Sequence, residues 1–80
     1  MNSEEFINLT DASHRLQTNP QTLIRILKEK ILDAPDISSK NDKGIWYCQD
    51  PETVQYLAEQ IHVAYSFIFF PEEWLNHLDA

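Results

Sequence analysis

Two dipeptides, Asn19-Pro20 and Asp50-Pro51, constrain this chain more than any other feature of it. Each sets a side chain able to accept hydrogen bonds from the free N–H groups of a helix start directly before a proline. Proline's fixed φ suits the first turn, and its missing N–H is not needed there. One helix therefore starts at Pro20 and another at Pro51. Counted at 100° per residue, Leu23, Leu27, Lys30 and Ile31 share one side of the first, flanked by Ile24 and Ile26. Gln21, Arg25 and Lys28 occupy the other side, bordered by Thr22 and Glu29. The spacing predicts a helix over residues 20–30 with an apolar back and a polar, basic front.

Upstream, Thr10 is expected to cap a helix reaching about Leu16, with Asp11 at the positive end of its dipole and Ala12 and Leu16 on its apolar side. Gln17-Thr18-Asn19 then breaks the chain. Two short helices joined by a three-residue turn make a helix-turn-helix over residues 9–32. Downstream, the periodicity lapses through Asp33-Ala34-Pro35-Asp36. An extended stretch at residues 37–39 and a strand at Ile45-Trp46-Tyr47-Cys48 flank a polar turn that holds Gly44, the only glycine of the sequence. They predict a two-stranded hairpin, a wing in size and position, over residues 37–48. Val54, Leu57, Ala58, Ile61, Ala64, Tyr65 and Ile68 then line up as one stripe, which predicts a third helix over residues 50–69. Pro71-Glu72-Glu73 opens a last helix over 71–79. The expected fold is a single domain over residues 1–80, mainly α with a short two-stranded β-hairpin.

Eighty residues are near the lower limit for one hydrophobic core without staples. The lone Cys48 can form no internal disulfide, and His14, His62 and His77 fall on three separate helices, so neither a zinc site nor acid–base chemistry is expected. Ser13-His14 and Ser66 lack a glycine-rich elbow, and one glycine cannot build a phosphate-cradling loop. The sequence thus reads as a non-enzyme without cofactor or metal. Its polar, acidic first residues do not read as a signal peptide, and its longest apolar run, residues 63–70, is far short of the roughly 20 residues that span a bilayer. A cytoplasmic location is expected.

The net charge of −7 opposes nucleic-acid binding, which depends on lysine and arginine displacing counterions. The distribution offsets part of that. All six bases, Arg15, Arg25, Lys28, Lys30, Lys40 and Lys43, lie between positions 15 and 43 against four acids, while the flanks hold nine acids and no base. A mildly basic middle between acidic ends points to a polar partner surface, the alternative being a solvated face that happens to be basic.

Leu9-Thr10-Asp11-Ala12-Ser13, Leu16 and Asn19-Pro20-Gln21-Thr22-Leu23, followed by Gly44, Tyr47 and Pro51-Glu52-Thr53-Val54, resemble the MerR-like and phage excisionase-like winged helix-turn-helix domains over about residues 7 to 62. The resemblance implies that the helix after Asn19-Pro20 enters the major groove of duplex DNA and that the hairpin touches the neighbouring backbone. Carried over by position, Gln21, Thr22 and Arg25 would meet base edges or phosphates, with Arg15, Lys28, Lys40 and Lys43 completing the nucleic-acid surface. The chain departs from the pattern at Gln17 and Lys30, where glycine is common, at Ile24, where arginine is common, and at Ile45-Trp46, where the wing often carries an arginine pair.

Residues 65–78 hold more large apolar groups than one stripe uses. Phe67, Phe70, Trp74, Leu75 and Leu78 are accordingly expected to form a dimer or partner interface, and a homodimer would bring two reading helices to one DNA. The alternative is a last helix folded back over Trp46 and Tyr47. In function, a DNA-binding regulator or recombination accessory factor leads. An acidic protein-binding inhibitor or adaptor that engages a basic, nucleic-acid-binding partner is the alternative, and a pure assembly element is the third reading.

Overall fold

The fold is that of a computed structural model, which describes residues 5–32 and 38–78. It is a small mixed α/β arrangement. A short strand β1 (Phe6–Asn8) leads directly into helix α1 (Leu9–Arg15), and helix α2 (Pro20–Lys30) follows. Strands β2 (Ser38–Lys40) and β3 (Trp46–Cys48) precede helix α3 (Pro51–Tyr56), which continues as a wider π-helical turn, Leu57–Ile61. After a 3-10 turn (Tyr65–Phe67) come strand β4 (Ile68–Pro71), a second 3-10 turn (Glu72–Trp74) and helix α4 (Leu75–Leu78).

Helix starts follow the capping chemistry. Asn19 accepts from the Thr22 N–H at 2.9 Å, and Asp50 accepts from the Thr53 N–H at 3.1 Å and its hydroxyl at 2.6 Å. The cap of α1 is Asn8, not the expected Thr10. Its side chain accepts from the Asp11 N–H at 2.7 Å and donates to the Asp11 carboxylate at 3.3 Å, whereas Thr10 is already the second residue of the helix. The end of α1 is a Schellman motif without glycine. Gln17 takes a φ of 57°, the Thr18 N–H reaches the Ser13 carbonyl at 2.8 Å, and the Gln17 N–H reaches that of His14 at 3.1 Å.

The hairpin forms where the single glycine allows it. Ser38, Ser39 and Lys40 face Cys48, Tyr47 and Trp46, and Gly44 has a φ of 83°. Asn41 organises the turn by accepting from the Lys43 and Ile45 N–H groups at 2.9 and 3.0 Å. The expected extended stretch at Ile37 lies outside the described residues, as do residues 33–36 of the expected break and residues 1–4 and 79–80 of the expected domain.

Two expectations are corrected. The hairpin is half of a four-stranded sheet of order β1-β4-β3-β2, in which β4 runs antiparallel to β1 and parallel to β3. The fold is therefore less purely helical than the periodicity suggests. The third helix stops at Ile61 instead of reaching residue 69, because His62 adopts a left-handed φ of 65° and the Val63 N–H closes back on the Leu57 carbonyl. Beyond that point Ile68, buried as expected, belongs to a strand, while Ile61 and Ala64 of the expected stripe are exposed.

Helices and sheet enclose one core. Leu9 and Ala12 of α1, Leu23, Ile24 and Leu27 of α2 and Val54, Leu57 and Ala58 around α3 pack with Ile7, Cys48, Ile68 and Phe70 from the sheet. Trp74 and Leu75 close it, with the Trp74 ring stacked on Phe70 at 5.4 Å. Of the five residues expected to form an interface, Phe70, Trp74 and Leu75 are thus interior to the single chain, and Leu78 is half-buried against the same core. A chain this small recruits its C-terminal segment to complete its own core. Only Phe67, 44% exposed, remains a surface group. Trp46 packs on the core, whereas Tyr47 sits on the other face of the sheet between Phe6 and Phe69, with ring centroids at 5.3 and 5.5 Å.

Candidate nucleic-acid interface

The front of α2 is the part of the surface where candidate residues converge. Its back, Leu23, Ile24 and Leu27, is sealed in the core, and the geometry of a 3.6-residue turn then turns Gln21, Arg25 and Lys28 outward. All three are exposed and Thr22 is half-buried at their border. Ile24, an apolar residue on the flank of this face, lies inward and forms part of the floor.

Helix α3 borders the same face. Gln21, Thr22, Ile24, Arg25, Lys28 and Glu29 from α2 share an open groove of about 600 Å³ with Gln55 and Glu59. The polar groups are connected. Lys28 Nζ donates to Gln55 Oε1 at 2.5 Å, and Gln55 Nε2 donates to Glu59 Oε1 at 3.3 Å. Two cations and two carboxylates line the groove, so its formal charge cancels. Arg25 has no ion-pair partner among the described residues. A guanidinium in that state keeps its planar fork of donors for a ligand oxygen pair.

The remaining expected residues are elsewhere. Arg15 is not in the groove: it forms an ion pair with Glu72 at 2.5 Å, which ties the end of α1 to the segment after β4. Lys40 and Lys43 are exposed on the hairpin, Lys43 in the turn and Lys40 with its ammonium 5.7 Å from the centre of the Trp46 ring. His14, His62 and His77 are all exposed. Among the described residues no cluster of three or more histidine, cysteine or acidic side chains is placed to hold a metal, and no helix is long and apolar enough to cross a membrane.

Gln55 and Glu59 are the residues that sequence reasoning leaves out. Their signal is a spacing of four on the side of the third helix opposite Val54, Leu57 and Ala58, which identifies them as outward-facing but does not say which helix stands beside them. Compared with protein-family models, curated proteins and solved structures, the chain matches none.

Proposed function

We propose that this chain binds duplex DNA as a winged helix-turn-helix protein, a regulator or recombination accessory factor, with the front of α2 as the reading surface and the hairpin lysines as phosphate contacts. The reading is supported above all by one observation: Gln21, Arg25 and Lys28 are exposed together on a helix whose opposite side is fully buried. That helix is capped by Asn19 and set off from α1 by four residues, 16–19. Arg25 is suited to guanine or phosphate, Gln21 to adenine, and Lys28, Lys40 and Lys43 to phosphate as point charges.

The test is direct. Retention of a labelled duplex by the wild-type chain at low salt, weakening steeply as salt rises, is the expected behaviour. Arg25→Ala should weaken binding by roughly 1–3 kcal/mol. Unchanged affinity for every duplex tried would end the proposal.

A second reading has its own observation. Glu29 and Glu59 share the groove with Arg25 and Lys28, and a charge-balanced groove with an apolar floor also suits a polypeptide carrying both signs of charge. In that case the chain is an acidic adaptor or inhibitor, no duplex is retained at any salt concentration, and Arg25→Ala weakens a protein complex instead.

A further inference from the structure

We infer that the DNA-reading surface is built from two helices and that Glu59, beyond α3, is a base-selecting residue favouring cytosine or adenine at one position of the site. The inference rests on the DNA-binding reading and adds to it the chemistry of the preferred base. Glu59 is exposed and lines the same groove as Arg25 and Lys28. A carboxylate there repels phosphate and so lowers affinity for any duplex, unless it accepts a hydrogen bond from the ligand.

The neighbouring bonds decide what it can accept. Gln55 gives its carbonyl to Lys28 and its amide to Glu59 Oε1. This chain of contacts aligns the carboxylate and leaves the second oxygen, Oε2, without a protein donor among the described residues. In the major groove, cytosine presents its N4 amino group and adenine its N6 amino group, whereas the guanine edge offers only the N7 and O6 acceptors. A carboxylate therefore accepts from cytosine or adenine and repels guanine. Arg25 and Lys28 supply the adjacent positive charge that holds the backbone near it, so that attraction and discrimination come from opposite walls of one groove.

The experiment selects binders from a pool of duplexes randomised over about one helical turn, in parallel with the wild-type chain, Glu59→Gln and Arg25→Ala. Glu59 is exposed and glutamine has nearly its shape, so the variant keeps the fold, which its circular dichroism melt verifies. The expected result is a wild-type preference for cytosine or adenine at one position, within which Glu59→Gln loses cytosine by about tenfold, because a glutamine amide pairs best with adenine. The same variant binds the unselected pool more tightly, having lost a negative charge. If Arg25→Ala weakens binding while Glu59→Gln keeps the wild-type base preference and affinity, α3 is outside the interface and the inference is overturned on its own. If neither the wild type nor any variant enriches a sequence, DNA binding itself is overturned, and the inference with it.

Discussion

Arg15 at the end of α1 and Glu72 just after β4 are joined by an ion pair at 2.5 Å, although 57 positions separate them in the chain. The hydrogen bond from Arg15, reinforced by its charge, holds the Glu72 carboxyl below its ordinary value of 4.5. A carboxyl whose pKa is lower folded than unfolded contributes stability above the unfolded value and loses it as pH falls through the folded one. Glu72→Gln should therefore melt below the wild type at neutral pH. The two melting curves should converge in acid, once the pH has fallen below the lowered pKa of Glu72 and both side chains are neutral. The pair is exposed, so added salt should narrow the neutral-pH gap as well.

The interior position of Phe70 separates it from its neighbour Phe67. Phe70 is fully buried and stacked on Trp74, so Phe70→Ala should cost roughly 3–5 kcal/mol in urea unfolding. Phe67→Ala, at a surface group, should change stability by no more than about 0.5 kcal/mol. The Phe70→Ala loss should also be the same at every protein concentration, because the contacts it removes lie within one chain. A loss that shrank on dilution would return Phe70 to an interface.

Gln17 occupies a left-handed position that glycine fills at less cost. Gln17→Gly should stabilise the chain by up to about 1 kcal/mol, the relief of a strained φ less the extra freedom of the unfolded glycine. Urea midpoints measure it, and a decrease would show that Gln17 makes contacts worth more than its strain. By contrast Asn19→Ala, which removes the cap of α2, should cost about 1 kcal/mol.

The hairpin turn offers a cleaner probe of phosphate contact than α2 does. Lys43 is exposed in a turn organised by Asn41, so Lys43→Ala leaves the fold alone. For a DNA-binding wing, the variant should weaken retention of all duplexes evenly and reduce the steepness of the salt dependence by about one counterion. A salt dependence identical to the wild type would remove the hairpin from the interface.

What could be read in advance divides by the range of the interactions involved. The bounds of α2 and the start of α3 were legible because Asn19-Pro20 and Asp50-Pro51 act on the backbone beside them. The hairpin was legible because Gly44 marks the one inexpensive positive φ. Strand β4 was not, since Ile68 continues a helical stripe and the residue that ends the helix, His62, carries no terminating signature of the kind glycine provides. Its partners β1 and β3 lie far off in sequence, and pairing of that kind leaves no local mark. The candidate site divides in the same way. Periodicity alone brings Gln21, Arg25 and Lys28 to one face, but only the packing of α3 beside α2 adds Gln55 and Glu59. The pairing of Arg15 with Glu72, outside that groove, is a tertiary event that leaves no local mark in the sequence.

Strand β4 leaves the ribosome after the other three strands, yet it is wedged between β1 and β3. Until residue 71 has emerged, β1 has no neighbour and the hairpin has one bare flank. Assembly of the sheet is therefore a closing event that waits for β4 and joins β1 to the hairpin at once. A nascent chain halted at residue 62 would already hold the complete front of α2 without the scaffold that fixes its direction, so that any capacity to bind arrives abruptly with the insertion of one four-residue segment.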